Sequence, residues 1–279
     1  RFCNSNFKNC IRIIKMNLES TKIVFMIGVG GIGMSALARY FILKGKKVIG
    51  YDKSKSDLTK QLENEGVKLC YADDLKFITE NIQLKNKHSV LIIYTPAVSI
   101  QNNFLSFFIK KQFSVVKRSD VLAEITKDEF TIAVSGTHGK TTTATALTHF
   151  LKYSGFNVTA FLGGISNNYK TNLIYSKNAD FIIVEADEYD RSFLKLHPNI
   201  AIITSVNPDH LDVYKTSKNF QDAFRQFASQ IKPNGFLIYE DSIKVNFSTL
   251  TNVSHLTYSC KNKSDVYADN YTFKYLNST

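Results

Sequence analysis

The stretch TIAVSGTHGKTTTATALTHF (residues 131–150) joins an apolar strand pattern to a glycine turn and then to a helix pattern. Such a turn places backbone N–H groups at a helix N-terminus, where an anion is favoured. Its lysine predicts contact with nucleotide phosphates, and the threonine after it predicts binding of Mg²⁺. The strict phosphate-loop pattern has glycine where Val134 stands, so the match is to a shortened form. We predict an ATP site formed by Gly136, Thr137, His138, Gly139, Lys140, Thr141 and Thr142.

Two further strand patterns end in polar clusters. DFIIVEADEYD (residues 180–190) ends in several carboxylates, and IAIITSVNPDHLDVY (residues 200–214) ends in an Asp-His-x-Asp cluster. In an open α/β sheet such strand ends face the ligand crevice, and carboxylate oxygens beside a phosphate loop suit Mg²⁺. A lone acid after a strand is as often a helix cap, which leaves the role of the other acids open. The coincidence of both clusters with the phosphate loop favours Glu185 and His210 as functional groups.

A second glycine-rich turn lies near the start of the chain. KIVFMIGVGG (residues 22–31) predicts a strand, and Gly28, Gly30 and Gly33 fit the G-x-G-x-x-G spacing that lets backbone approach a diphosphate. Asp52 ends the next strand, at about the place where a ribose hydroxyl would be met. The spacing alone leaves open a dinucleotide, another diphosphate and a tight turn without a ligand. Nothing further along the sequence resembles a hydride-transfer partner.

Strand and helix patterns alternate around these turns. The clearest are a helix at residues 34–45, strands at residues 46–52 and 89–97, and a restart of the pattern near residues 125–130. Short apolar strands separated by helices predict open, parallel α/β sheets. The fold class predicted is α/β, with an N-terminal Rossmann-like open sheet in residues 16–127 and a P-loop NTPase-type α/β central domain in residues 128–279.

Composition limits the classes of partner. The chain has 279 residues, is 44% hydrophobic and carries a formal net charge of +11. No stretch approaches the ~18 consecutive apolar residues of a membrane span, and the basic residues are scattered, so we expect neither membrane insertion nor nucleic-acid binding. The four cysteines have no metal-like spacing, which fits a reduced, cytoplasmic setting. Residues 1–15 are predicted to be a non-structural extension, with a transit peptide as the alternative.

Taken in order, the motifs resemble those of the Mur ligase family. G-T-H-G-K-T-T-T is followed by G-G-I with nearby Asn, by E-A-D-E-x-D-x-S-F-L and by D-H-x-D-x-Y, and it is preceded by G-x-G-G-x-G-M-S. The resemblance extends from Ile23 to about Gly235 and is greatest to the alanine-adding branch. It implies an ATP-dependent carbon-nitrogen ligase of peptidoglycan precursor synthesis. In that reaction the γ-phosphoryl group passes to the carboxylate of UDP-N-acetylmuramate, and the amine of L-alanine then displaces phosphate.

The resemblance also implies roles for individual residues. Lys140 would neutralise charge on the transferring phosphoryl group, and Thr141 and Glu185 would hold Mg²⁺ with ATP. His210 would reach a second Mg²⁺, and with Lys140 and Glu185 it completes the predicted catalytic set. The first loop is expected to bind a UDP-sugar rather than NAD. The residues predicted to hold that sugar nucleotide are Gly28, Gly30, Gly31, Gly33, Ser35, Asp52 and Asn172.

The sequence also departs from the family pattern. The alignment places His197 where sister ligases carry a carbamylated lysine beside the metal site, and it gives Ser205 no role. His138 matches a family position near the substrate but equally fits a purely structural place in the loop. The family has a third domain that supplies much of the amino-acid pocket, and we expect this chain to lack it and to be incompetent as a ligase alone. The alternatives are a ligase that attaches a recycled murein tripeptide to the same UDP-sugar and a truncated, non-catalytic nucleotide-binding module.

Overall fold

The computed structural model describes residues 16–207 and 211–268, with the backbone alone for residues 211 and 212. The predicted extension at residues 1–15 lies outside them. The strands are β1 (Ile23–Ile27), β2 (Lys47–Tyr51), β3 (Lys68–Cys70), β4 (Val90–Tyr94), β5 (Ser114–Lys117), β6 (Thr131–Ser135), β7 (Val158–Phe161), β8 (Leu173–Ile174), β9 (Phe181–Glu185), β10 (Ile200–Ile203), β11 (Phe236–Glu240), β12 (Ser254–Ser259) and β13 (Val266–Tyr267). The α-helices are α1 (Ile32–Leu43), α2 (Asp57–Asn64), α3 (Lys76–Asn81), α4 (Asn103–Lys110), α5 (Arg118–Thr126), α6 (Lys140–Tyr153), α7 (Leu211–Tyr214) and α8 (Ser217–Ser229).

The described chain forms two compact units. Within the described ranges, the first contains residues 16–125 and 155–179, and the second contains residues 126–154 and 180–268. The boundary predicted between residues 127 and 128 stays a prediction, and the sequence pattern does not anticipate the return of the chain to the first unit at residue 155. Throughout the described part of the chain, no helix has both the length and the apolar composition to cross a membrane.

The first unit contains an open sheet of five parallel strands in the order β3-β2-β1-β4-β5. The strand order reverses direction between β1 and β4, and ligands of open α/β sheets bind beside such a point, at the carboxyl ends of the strands. The glycine-rich turn leaves β1 at this edge. The sheet therefore places the predicted UDP-sugar loop where a crevice is expected.

The core of the first sheet includes a cluster of aromatic side chains among its aliphatic residues. Strand β1 is buried from Val24 to Ile27, as expected for a parallel strand covered on both faces. The ring of Phe25 lies 4.9 Å from that of Phe108 and 5.5 Å from that of Phe104, both on α4. Buried aromatic side chains contribute large apolar areas, so this cluster fixes the sheet against the helix that covers it.

The segment at residues 155–179 adds a short antiparallel pair to the first unit. Strands β7 and β8 pair with Ala160 opposite Ile174 and Phe161 opposite Leu173. On α1, the ring of Tyr40 lies 5.5 Å from that of Phe161 and 5.9 Å from that of Tyr175. The segment is therefore packed against the helix that follows the glycine-rich turn.

The second unit has parallel strands in the order β13-β12-β11-β10-β6-β9. Strand β6 lies between β10 and β9, and its residues are all buried. Because neighbouring parallel strands end at the same edge, the turn after β6 meets the last residue of β9, Glu185, and the residues that follow β10. This edge therefore brings the predicted phosphate-binding turn together with the acidic cluster that begins at the end of β9.

Candidate functional site

The turn between β6 and α6 has a backbone that only glycine fits readily. Gly136 has φ of 132° and Gly139, the N-cap of α6, has φ of 82°, both in the region that L side chains rarely adopt. A Cβ added at Gly136 would overlap Thr204 Oγ1 and lie 2.8 Å from the backbone nitrogen of Ser205. The first glycine of the turn is thus required by the close approach of the chain after β10.

Ser205, to which the sequence assigns no role, braces this turn. Its carbonyl accepts a hydrogen bond from the Thr137 backbone at 3.1 Å, and its hydroxyl accepts one from the His138 backbone at 2.9 Å. Its hydroxyl also lies 2.9 Å from Thr137 Oγ1. The His138 residue itself is exposed, as is Thr142 in the first turn of α6. Since two loop amides already have partners, the N–H groups of the first helical turn, which lack intrahelical acceptors, are the natural donors to a phosphate.

Lys140, the first residue of α6, points back toward the turn and to an acid. Its Nζ donates to the Gly136 carbonyl at 2.5 Å and to Glu188 Oε1 at 3.0 Å. The other carboxylate oxygen, Oε2, lies 2.9 Å from Nζ, within ion-pair distance but without hydrogen-bond geometry. Glu188 is 1% exposed, and this burial raises the pKa of its carboxyl although the Lys140 ammonium opposes the shift. The predicted site did not include Glu188.

Thr141 and Glu185 lie side by side at the same edge of the second sheet. Thr141 Oγ1 donates to Glu185 Oε2 at 3.0 Å. A hydroxyl and a carboxylate are the hard oxygen ligands that Mg²⁺ prefers, so the pair fits the predicted metal. Among the described residues no group of three His, Cys, Asp or Glu side chains is placed to hold a metal ion. His210, the third predicted ligand, lies outside the described residues.

In the first unit, the glycine-rich turn is closed by Asp52. The Gly30 backbone donates to Asp52 Oδ2 at 2.7 Å, so the carboxylate predicted to meet a ribose hydroxyl binds the turn itself. Gly28 has φ of 83°, and Gly31 is the N-cap of α1. A Cβ added at Gly33 would lie 2.6 Å from Nη1 of Arg118.

Arg118, the first residue of α5, is a site candidate that the sequence analysis missed. It follows β5 at the carboxyl edge of the first sheet, and the absence of a side chain at Gly33 is what lets its guanidinium approach the first turn of α1. Guanidinium groups favour phosphate. Its position beside the glycine-rich turn makes it a candidate partner of a diphosphate.

Asn172 and Ser35 are joined in a buried network around the first turn of α1. The Asn172 amide donates to the Ile32 carbonyl at 2.6 Å and to Ser35 Oγ at 2.9 Å, and its oxygen accepts from Arg39 Nη1. Arg39 is itself paired with Glu65, with Nε 2.8 Å from Oε2. Asn172 and Ser35 are both 0% exposed. As direct contacts of a sugar nucleotide they stay predictions, while in this structure they position the helix that starts at the turn.

The placement of His197 beside the metal site is wrong. His197 precedes β10, at the amino-terminal end of that strand, whereas the phosphate-binding turn follows the carboxyl end of its parallel neighbour β6. His197 instead lines a cavity of about 530 Å³ with the end of α8 and with residues 249–253. Matching His197 to the sister ligases' lysine put the residue at the wrong edge of the sheet.

Comparison with known families accounts for most of the chain. Residues 24–130 match the profile of the Mur ligase family catalytic domain, and residues 134–278 match that of the Mur ligase middle domain. A curated protein from Parabacteroides distasonis, named UDP-N-acetylmuramate--L-alanine ligase, is 46% identical over 255 residues, which are 91% of this chain and 55% of that protein. A protein of the same name from Porphyromonas gingivalis is 49% identical over 238 residues, 85% of this chain and 52% of its own. The chain thus spans about half the length of these relatives.

Solved structures agree with the fold class. A UDP-N-acetylmuramate-alanine ligase from Thermotoga maritima matches with a TM-score of 0.72 and 24% identity, over 86% of this chain and 53% of that one. A murein peptide ligase from Psychrobacter arcticus matches with a TM-score of 0.75 and 22% identity, over 90% of this chain and 56% of that one. At these identities the likeness shows the fold alone, and it confirms the α/β class predicted, with a Rossmann-like sheet followed by a P-loop-type domain.

Proposed function

Because this chain belongs to the Mur ligase family, we propose that it supplies the UDP-sugar- and ATP-binding parts of a ligase that joins L-alanine to UDP-N-acetylmuramate. The reaction belongs to peptidoglycan precursor synthesis, and we place it in the cytoplasm. The substrates are inferred from the names of relatives that are 46% and 49% identical. Neither nucleic acid nor membrane insertion has a part in the proposal.

The arrangement at the head of α6 carries this proposal. Lys140 and Thr141, its first two residues, contact two different acids: Lys140 contacts Glu188 in the segment after β9, and Thr141 contacts Glu185 at the end of β9. A cation and a pair of metal-type oxygens are therefore fixed within one helical turn of a glycine-rich loop. Transfer of a phosphoryl group depends on such positioning and charge stabilisation rather than on covalent chemistry by the protein.

In the proposed reaction, the γ-phosphoryl group of ATP moves to a carboxylate oxygen of the UDP-sugar and ADP is released. The amine of L-alanine then attacks the acyl carbon, phosphate leaves with the C–O bond electrons, and the amine loses a proton. Lys140 would stabilise the negative charge on the phosphoryl oxygens as the bond to ADP breaks. Thr141 and Glu185 would hold Mg²⁺, which supplies charge neutralisation to the phosphates. His210 is proposed as ligand of a second Mg²⁺.

The first unit would hold the other substrate. The glycines of its turn let backbone approach a diphosphate, whose charge is favoured at the N-terminus of α1. Arg118 beside Gly33 would add a cation there. Asp52, which now accepts from Gly30, would have to share that amide or yield it when a diphosphate binds.

The test is calorimetric titration of the chain with UDP-N-acetylmuramate, NADH and MgATP. We expect binding of the sugar nucleotide and of MgATP, each to one site, and no binding of NADH. If the chain binds NADH but does not bind UDP-N-acetylmuramate, the proposal is contradicted, and the first glycine-rich turn is then a dinucleotide site.

A further inference from the structure

The ammonium of Lys140 is already occupied before any nucleotide arrives. An ammonium has three hydrogens to donate, and two are used, one by the Gly136 carbonyl and one by Glu188 Oε1. The two acceptors differ in kind. Gly136 offers a neutral carbonyl of the turn itself, whereas Glu188 offers a charge that solvent does not reach.

Glu188 is held by its surroundings and cannot easily follow the lysine. Its main-chain carbonyl accepts a hydrogen bond from the hydroxyl of Tyr214, whose side chain is fully buried, and another from the Arg191 backbone N–H at 3.0 Å. The Arg191 guanidinium carbon lies 5.0 Å from the centroid of the Tyr214 ring. The residue before Glu188, Asp187, is also held through its main chain, because its carbonyl accepts hydrogen bonds from the Phe193 backbone and from the Ser192 hydroxyl. These contacts fix the main chain at Glu188, and the ion pair with Lys140 holds its buried carboxylate beside the phosphate-binding turn.

We propose that Glu188 is a positioning residue that restrains Lys140 and thereby weakens ground-state nucleotide binding by the loop. The inference rests on the proposed function, because it takes the turn to be a nucleotide site. When a nucleotide binds, its phosphate replaces the Gly136 carbonyl as the acceptor of one Lys140 ammonium hydrogen. Glu188 keeps the hydrogen bond that it already accepts from Lys140. The carboxylate stays paired throughout, as burial requires, since an unpaired buried charge is costly.

The cost to the nucleotide follows from the charges. With Glu188 attached, the ammonium and the carboxylate form a neutral pair, so a bound phosphate meets an attraction and a repulsion of similar range. A phosphate oxygen on the same ammonium would lie about 5 Å from the carboxylate oxygen, because two contacts of about 3 Å diverge at the tetrahedral angle of the ammonium. At this distance and at limited solvent access, a unit charge changes an affinity by tenfold or more. The expected direction is that removal of the negative charge tightens binding.

The test compares Glu188→Gln with the wild-type chain by calorimetric titration with MgADP and with Mg²⁺ plus the β,γ-imido analogue of ATP. Glutamine keeps the size and one acceptor for Lys140 but removes the charge. We expect both nucleotides to bind tenfold or more tightly to the variant. The matched control is Asp190→Asn, which removes the same charge from the same segment while preserving the acceptor for the Ser192 backbone. Asp190 is only half-buried, so solvent screens its charge, and the nucleotide affinity of this variant should stay within about twofold of wild type.

The direction of the change in nucleotide affinity separates the outcomes. Structural damage weakens binding, so a Glu188→Gln variant with equal or weaker affinity, beside a wild-type chain that binds, overturns the inference alone. A wild-type chain that binds neither nucleotide overturns the proposed function and this inference with it. Should Glu188→Gln fail to fold by circular dichroism, the wild type decides through NMR with ¹⁵N-labelled lysine. The protected ammonium signal of Lys140 is identified by its loss in Lys140→Met, and it should shift when MgADP is added. If saturating MgADP leaves this signal unmoved, the replacement of the Gly136 carbonyl by a phosphate is contradicted.

Discussion

Replacement of Asn172 by alanine tests whether the return of the chain at residue 155 is what sets the first turn of α1. The amide of Asn172 makes three hydrogen bonds, to Ile32, Ser35 and Arg39, that lie inside the first unit. Alanine keeps none of them. The residue is 0% exposed, so water cannot replace the lost partners without entering the core.

The expected loss of stability can be built from these contacts. A hydrogen bond to a charged donor such as Arg39 contributes about 1.5–3 kcal/mol, and each neutral one about 1 kcal/mol. Part of this is retained after truncation, because Arg39 keeps Glu65 and Ser35 still donates to the Ile32 carbonyl. We therefore expect the Asn172→Ala chain to lose about 3 kcal/mol of unfolding free energy in the first unit.

The assay is urea unfolding followed by circular dichroism, with Asn168→Ala as the control. Asn168 is an exposed residue of the same segment, and its replacement should change the free energy by at most about 0.5 kcal/mol. Calorimetry on Asn172→Ala should also show UDP-N-acetylmuramate binding weakened tenfold or more, because α1 begins at the glycine-rich turn. A loss below about 1 kcal/mol with unchanged UDP-N-acetylmuramate affinity would refute the positioning role of Asn172.

Three other predictions concern single side chains. Lys140→Ala should weaken MgATP binding tenfold or more by calorimetry while leaving the circular dichroism spectrum unchanged, since a hydrogen bond between charged groups contributes about 1.5–3 kcal/mol; near-normal binding would contradict the phosphate-loop assignment. Gly136→Ala should lower the melting temperature and weaken nucleotide binding, because its Cβ has no room beside Ser205 and its φ of 132° is strained; a melting temperature equal to wild type would contradict this. Burial, with the nearby acids Asp73 and Asp74, raises the pKa of the Cys70 thiol to about 12, so at pH 8 iodoacetamide should leave Cys70 unmodified while it labels the exposed Cys260; peptide mass spectrometry showing equal labelling of the two would refute the shift.

Local pattern was enough to place both glycine-rich turns and the strands that lead to them. The apolar runs at β1 and β6 end where their glycines begin, and the side chains predicted to face a ligand follow within a few residues. Such information lies within one window of sequence. Thr141 and Glu185, which are far apart in the chain, could be paired in advance because parallel strands share a carboxyl edge, and they do lie 3.0 Å apart.

What the sequence did not reveal depends on contacts between distant segments. Asn172 reaches Arg39 across 133 residues, and no periodicity marks either as a network member. Ser205 has no motif of its own, and its role arises from the crossing of β10 past the turn. Glu188 stood among several acids in the sequence, and it is distinguished only in the structure, by its burial and by its contact with Lys140. The error at His197 has the same origin, because an alignment gives the order of residues along the chain but does not show at which edge of the sheet a residue lies.

We propose that Lys140, Thr141 and Glu185 form the ATP site of a ligase. A crystal structure of the chain with Mg²⁺ and the β,γ-imido analogue of ATP tests it most directly. We expect the triphosphate in the turn between Gly136 and Thr141, with the Lys140 ammonium on a phosphate oxygen and Mg²⁺ in contact with both Thr141 and Glu185. A triphosphate bound elsewhere, or an empty turn in crystals saturated with the nucleotide, would contradict it.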